Sequence, residues 1–181
     1  MDIVDFATLT GDQRAQAARV MRAGFAPIGA YQGQAAEAEV TTFFEDPDRF
    51  ALAALEDGAV VGFVGGVDGY PKALELHPLV VDPAHQGRGV GSALLTALEA
   101  RAAAMGKLTV YLGSDDEIGG TNLFGAEVYP DPLAALAAIA PTSGHPFFFY
   151  RRHGYVAVGL IPDANGYGKP DLLLAKRVAR P

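Results

Sequence analysis

The sequence contains no cysteine, and this absence excludes several classes of protein. Without thiols the chain can form no disulfide scaffold, no thiolate zinc site and no iron–sulfur centre, and it offers no thiol nucleophile. The four histidines are scattered without the spacing of metal ligands. We therefore expect a cytoplasmic protein with no metal and no covalent cysteine intermediate.

Positive charge is also scarce. The chain has 14 Lys and Arg against 21 Asp and Glu, a net charge of −7, and its longest basic cluster is the pair Arg151-Arg152. A nucleic-acid partner would require the opposite sign. No apolar run approaches the roughly 20 residues of a membrane span, and the first residues lack the profile of a secretory signal. We expect no nucleic-acid or membrane partner.

The chain is rich enough in apolar residues to fold. Hydrophobic residues make up 50% of its 181 positions, which gives ample apolar surface to offset the entropy of folding. Domains average roughly 150 residues. With no internal repeat or linker, the sequence predicts one domain over residues 1–181.

Hydrophobic periodicity predicts an α/β protein. Thr10 to Gln13 has the spacing of a capping box before a helix over residues 11–24, and Asp57-Gly58 suits a tight hairpin turn. Further helices are predicted at residues 34–45, 92–105, 133–140 and 145–153, and strands at 2–7, 50–56, 59–67, 73–81, 108–112, 155–161 and 171–176. The order of elements predicts a mixed sheet with a parallel step at its centre.

A glycine-rich stretch, Gln86-Gly-Arg-Gly-Val-Gly91, lies between a predicted strand and a predicted helix. Glycines there let successive backbone N–H groups converge on a phosphate at the positive end of the helix dipole. A Walker A loop needs a lysine that is missing here, and a dinucleotide fingerprint would put Ser92 where its third glycine belongs. The loop therefore predicts a phosphate ligand of another kind.

Gln86-x-x-Gly89-x-Gly91 resembles the Gln/Arg-x-x-Gly-x-Gly/Ala signature of the GNAT acyltransferases, which hold the pyrophosphate of coenzyme A there. Its context is similar too, since a Leu-His-Pro-Leu-Val-Val-Asp-Pro strand end precedes it and Phe149-Tyr-Arg-Arg-His-Gly-Tyr155 follows. The blocks at residues 75–81, 111–116, 145–150 and 162–171 resemble aminoglycoside 6′-N-acetyltransferases, in particular a chromosomal branch. The N-terminal third is less similar, with Phe25 where that family has tryptophan.

The resemblance implies a GNAT-type fold, which is a mixed, mostly antiparallel sheet with a central splayed parallel pair and flanking helices. It also implies an acetyl-CoA-dependent enzyme, commonly a homodimer, that acetylates an amine of a cationic aminosugar and confers antibiotic resistance. The cofactor-binding positions that follow from it are His77, Leu79, Val80, Val81, Gln86, Gly87, Arg88, Gly89, Val90, Gly91 and Ser92.

Direct acetyl transfer needs a neutral amine, a polarised carbonyl, a held donor and a protonated leaving thiolate. By resemblance Glu75 accepts the amine proton, directly or through water, and Tyr150 donates to the thiolate. The backbone N–H of Leu79 faces the thioester oxygen in the same scheme. From the residues alone, one alternative stays open for each: Glu75 as a solvent-facing strand carboxylate, and Tyr150 as a core aromatic side chain.

Asp115 and Asp116 follow the strand at residues 108–112, and paired carboxylates there would attract a polyammonium ligand. With Glu75 and Phe25 they are the predicted substrate-binding residues. Two alternatives remain open at this point. One is the same chemistry on another polyamine or a protein amine, and the other is a non-catalytic sensor that binds acyl-CoA.

Overall fold

The computed structural model describes residues 1–180 and divides into two compact units. The first unit comprises Met1–Val110 together with residues 178–180, and the second comprises Tyr111–Arg177. The single domain over residues 1–181 stays a prediction. No helix within residues 1–180 is long and apolar enough to cross a membrane.

The first unit is built on an antiparallel meander of four strands. These are β1 (Asp2–Asp5), β2 (Arg49–Glu56), β3 (Ala59–Val67) and β4 (Ala73–Val81), each paired with the next along the chain. The predicted hairpin turn between β2 and β3 is confirmed. Asp57 and Gly58 both have positive φ, 50° and 80°, which is the backbone of a type I′ turn.

Three helices cover this meander, α1 (Gly11–Phe25), α2 (Ala35–Glu45) and α3 (Val90–Ala104). The predicted capping box is present, because Thr10 Oγ1 accepts from the Gln13 N–H and Gln13 Oε1 accepts from the Thr10 N–H. Phe63 lies in the buried core that α1 and α2 form on one face of the sheet. Its neighbour Gly62 lies against Leu94 of α3, so α3 covers the opposite face.

Strand β4 carries a bulge at the position that bears on the site. Val64 of β3 lies opposite Leu79, whereas Gly66 lies opposite Leu76, so β4 has one residue more than β3 between these pairs. Pro78 lies within the extra segment. Because proline has no N–H, the interruption of the ladder leaves no backbone donor without a partner at this position. The bulge reverses which face of the sheet the alternating β4 side chains occupy.

The second unit contains the end of β5 (Thr109–Asp115), the helices α4 (Pro132–Ala137) and α5 (Pro146–Arg152), and the antiparallel pair β6 (Val156–Ile161) and β7 (Asp171–Arg177). The strand order is β1-β2-β3-β4-β5-β7-β6, mostly antiparallel with one parallel pair and flanking helices. The predicted fold class is therefore confirmed.

Several predicted boundaries are wrong. Strand β1 ends at Asp5 and not at residue 7, because Phe6–Thr8 form a 3-10 helix that Asp5 caps. Helix α3 begins at Val90 and not at residue 92.

Strand β5 continues past Leu112 to Asp115, because Gly113 lies against Asp171 of β7 and the Asp116 N–H donates to the Pro170 carbonyl at 3.0 Å. Helix α4 ends at Ala137 and not at residue 140. The Asn122 side chain donates to the Ala138 carbonyl and accepts from the Ala140 N–H. These backbone groups are therefore not available for further hydrogen bonds of the helix.

Candidate active site

The glycine-rich loop joins β4 to the N-terminus of α3. Gly87 and Gly89 have φ values of 73° and 87°, in the left-handed region that glycine adopts without strain. Gly89 is the N-cap of α3 and, having no side chain, makes no side-chain cap to the N–H groups of the first turn. Because residues 86–89 are exposed, these donors and the helix dipole offer a site for an anion.

Two side-chain contacts fix this loop. The Gln86 amide donates to the carbonyl of Val81 at 3.1 Å, which ties the loop to the end of β4. Arg88 reaches back to Glu56 at the end of β2, with Nη2 and Oε1 3.0 Å apart. His85 Nε2 lies 3.4 Å from the other Glu56 oxygen. No motif in the sequence indicated Glu56, because 32 positions separate it from Arg88.

The bulge in β4 distributes the predicted site residues between the two faces of the sheet. The His77 side chain contacts Tyr31, and the Val80 side chain belongs to the core under α1 and α2. Both side chains therefore lie on the same face of the sheet, although the two residues are an odd number of positions apart. Leu79 pairs with Val64 and points to the α3 face. Val80 therefore offers only its backbone to a ligand, since its side chain is buried.

A polar network surrounds His77. The Tyr31 hydroxyl lies 3.2 Å from His77 Nε2, and Glu39 Oε1 lies 3.7 Å from the same nitrogen and 2.7 Å from Arg49 Nη1. The Phe25 ring packs on Tyr31 with centroids 5.0 Å apart, which places Phe25 beside this network. No motif in the sequence indicated Tyr31, Glu39 or Arg49.

Glu75 lies two residues before His77, half-buried and opposite Val67 of β3. Glu75 and His77 are alternate residues of β4 and share its α1/α2 face, where His77 contacts Tyr31. The structure thus places Glu75, His77 and the residues around His77 in one region of the first unit.

In the second unit, Tyr150 lies on α5, whose N-terminus His145 caps. His145 Nδ1 accepts from the Phe147 N–H at 3.1 Å, and Nε2 donates to the Asp115 carbonyl at 3.1 Å. Tyr150 is 6% exposed and packs edge-on to Tyr155. Burial raises the pKa of the Tyr150 hydroxyl, so the side chain keeps its proton at neutral and mildly alkaline pH.

The two predicted aspartates occupy different environments. Asp115 is exposed and accepts from the Asn165 amide. Asp116 is fully buried, and its oxygens accept from the N–H groups of Gly119, Gly120 and Thr121 and from the Thr121 hydroxyl. The predicted substrate-binding role of Asp116 is therefore wrong, because both oxygens of its buried carboxylate accept hydrogen bonds from the following loop.

A metal site is not apparent in the part of the chain that the structure describes. Among residues 1–180, no group of three or more His, Asp or Glu side chains is arranged to hold a metal ion.

An exposed glycine loop thus joins a bulged strand to a helix N-terminus, and comparison with known proteins shows the family to which this chain belongs. Residues 18–124 match the model of the acetyltransferase (GNAT) family, which is more than half of the chain. The chain therefore belongs to the GNAT acetyltransferase family. This confirms the predicted family, and with it an N-acetyltransferase that uses acetyl-CoA.

Two solved structures are similar to this chain along its whole length. An aminoglycoside 6′-N-acetyltransferase complexed with coenzyme A is 34% identical, with a TM-score of 0.92 over 100% of this chain and 99% of that one. The aminoglycoside 6′-N-acetyltransferase of Enterococcus faecium is 35% identical, with a TM-score of 0.90 over the same shares. Uncharacterised N-acetyltransferases of Mycobacterium bovis and Mycobacterium tuberculosis are 36% identical over 76 residues, 42% of this chain. The chain spans about half the length, 49%, of these curated relatives.

Proposed function

We propose that this protein transfers the acetyl group of acetyl-CoA directly to a primary amine of a cationic aminosugar, the 6′-amine of an aminoglycoside. The observation that carries this proposal is similarity along the whole chain, at 34% and 35% identity, to two aminoglycoside 6′-N-acetyltransferases. Other proteins of the same fold at 15% identity support the fold alone.

The donor is held by the loop after β4. The backbone N–H groups of residues 87–92 bind the pyrophosphate, with Gln86 fixing the loop and Arg88 adding positive charge. The pantetheine arm pairs with the backbone of Leu79 to Val81 as an added strand. The bulge lies directly before Leu79, and Leu79 to Val81 then pair along one edge with β3, from Val64 to Gly62.

The chemistry then needs a base and an acid. An alkylamine with a pKa of about 10.4 is neutral in about one molecule in 2,500 at pH 7, so a carboxylate that accepts its proton raises the rate. Glu75 takes that role, directly or through water. Tyr150, kept protonated by burial, donates to the leaving thiolate, and the Leu79 N–H stabilises the thioester oxygen.

The acceptor is bound through its positive charge. Asp115 is exposed on the second unit and the chain carries a net charge of −7, both of which favour a polyammonium ligand. Glu75 contributes a second carboxylate, and Phe25 supplies an aromatic surface next to Tyr31.

We further propose that the enzyme acts as a cytoplasmic homodimer and that its activity confers aminoglycoside resistance. Strand β6 lies at the end of the strand order and exposes Val156, Val158 and Ile161 by 59%, 58% and 50%. An apolar edge strand is a surface on which a second copy can pack. Analytical ultracentrifugation tests the dimer, and a monomer at all concentrations would refute it.

The test of the reaction is a panel of acceptors with acetyl-CoA and detection of released thiol. The panel contains kanamycin, an analogue with hydroxyl at the 6′ position, spermidine and a lysine peptide. Because the chain has no cysteine, the thiol background is low. We expect turnover with kanamycin and none with the hydroxyl analogue.

Two other outcomes would replace the proposal. Thiol release only with spermidine or the peptide would keep the acetyltransferase and overturn the aminosugar substrate. Tight binding of acetyl-CoA without thiol release from any acceptor would indicate a sensor.

A further inference from the structure

Glu56 is the one carboxylate of the described chain that contacts both an arginine and a histidine of the phosphate loop region. Its Oε1 lies 3.0 Å from Arg88 Nη2, and its Oε2 lies 3.4 Å from His85 Nε2. The three side chains are between 27% and 53% exposed, so solvent and ligands can reach all of them. Neither contact belongs to the β2–β3 hairpin in which Glu56 resides.

The surroundings of Glu56 are acidic. Glu56 and His85 line a cavity of about 500 Å³ together with Asp57 and Asp82, and Asp82 Oδ1 lies 3.6 Å from His85 Nδ1. Arg19 is the other charged residue of this lining. A phosphate approaching residues 87–91 therefore meets several carboxylates as well as His85 and Arg88.

We infer that Glu56 is a competing counter-ion, which holds Arg88 and His85 in the free protein and yields them to the phosphates of acetyl-CoA. This inference rests on the proposed role of the loop at residues 86–92. Arg88 lies between two glycines with positive φ, so the backbone around it can adjust when its guanidinium changes partner. Glu56 then sets the affinity for the donor without touching the reacting atoms.

The consequence is a gain of affinity when the charge of Glu56 is removed. An exposed ion pair contributes little to stability, and its loss should change binding by about two- to fivefold. We expect Glu56→Gln to lower the Kd for coenzyme A by this factor at low ionic strength. In about 1 M salt, where screening acts over about 3 Å, the difference should disappear.

The experiment is calorimetric titration of the full chain with coenzyme A, using matched variants. Asp57→Asn is the control, because it removes the same charge from the next residue, which lines the same cavity and has no ion pair among residues 1–180. Arg88→Gln and the double variant Glu56→Gln/Arg88→Gln show whether the gain depends on Arg88. Glu56→Ala is measured as a second variant, with thermal unfolding to show that each protein folds.

The inference holds if Glu56→Gln binds coenzyme A more tightly than Asp57→Asn and if most of this gain is lost in the Arg88→Gln background. It is overturned if Glu56→Gln binds equally or more weakly, which would make Glu56 a support for the loop, or if Asp57→Asn gains as much, which would show a general effect of charge. If Arg88→Gln leaves the Kd unchanged while kanamycin is still acetylated, the role given to Arg88 fails and the proposed reaction stands.

Discussion

Asp116 and Thr121 are joined by two hydrogen bonds, since Asp116 Oδ2 accepts from the Thr121 N–H at 2.8 Å and from its hydroxyl at 2.7 Å. The other oxygen accepts from the N–H groups of Gly119 and Gly120. One buried carboxylate thus satisfies four donors of the loop after β5. This arrangement distinguishes a structural aspartate from its exposed neighbour Asp115.

We predict that Asp116→Ala destabilises the protein. Removing the carboxylate leaves buried donors without partners, which should cost about 2 to 4 kcal/mol of the free energy of unfolding. Urea denaturation measures the loss. Asp115→Ala is the control, and an equal loss there would contradict the separate roles.

Asp115→Asn should weaken acceptor binding and leave folding intact. The exposed carboxylate loses its charge, so KM for kanamycin should rise by about three- to tenfold while the unfolding midpoint stays the same. Steady-state kinetics at saturating acetyl-CoA give the KM. Asp12→Asn removes a carboxylate from the first turn of α1 and should have no such effect, and a KM unchanged in Asp115→Asn would exclude Asp115 from the acceptor site.

Glu75→Gln tests the proposed base. Loss of a general base lowers the rate by about 10²-fold or more, so kcat/KM for the amine should fall by this order while the Kd for coenzyme A stays unchanged. Isothermal titration with coenzyme A separates the two quantities. A variant with wild-type turnover would make Glu75 the solvent-facing strand carboxylate.

Burial of Tyr150 has a consequence for alkaline pH. Because its folded pKa lies above the value of about 10 for free tyrosine, its neutral form contributes stability that is fully present below pH 10 and is lost as pH rises through the folded pKa. Ultraviolet titration should show Tyr150 ionising above the ordinary pKa of tyrosine. Comparison with Tyr150→Phe assigns the ionisation at high pH to Tyr150. If the same ionisation were still seen in Tyr150→Phe, the assignment would be refuted.

The same variant tests catalysis. Tyr150→Phe keeps the ring and removes the donor, so kcat should fall by about 10²-fold with little change in stability. Equal kcat values for the variant and the wild type would identify Tyr150 as a core aromatic residue.

The bulge in β4 depends on a glycine across the pair. A Cβ at Gly65 would lie 2.2 Å from the His77 carbonyl oxygen and 2.6 Å from the Phe43 ring, so Gly65→Ala should cost about 1 to 3 kcal/mol of stability. Thermal unfolding checks this. At Gly69 nothing lies within 4 Å of an added Cβ, so Gly69→Ala is the matched control. Similar unfolding midpoints for the two variants would show that the bulge accepts a side chain at position 65.

Local patterns in the sequence predicted most of the fold because they report local physics. The capping box at Thr10, the Asp57-Gly58 turn and the glycines before α3 each fix backbone angles within a few residues, and all three are present. The boundary at Leu112 failed because Gly113 and Asp115 are poor strand formers, and only pairing with a distant segment extends β5 through them.

The sequence by itself determined the family and the glycine loop with its helix N-terminus after β4, since both form from consecutive residues. Tertiary structure alone decided which carboxylates are available. Asp115 and Asp116 are neighbours in the chain, yet one is exposed and the other is buried and satisfies four donors of the loop after β5. It also brought Glu56 to Arg88 and Tyr31 to His77, because hydrogen bonds and ion pairs act over a few ångströms of space, whatever the separation along the chain.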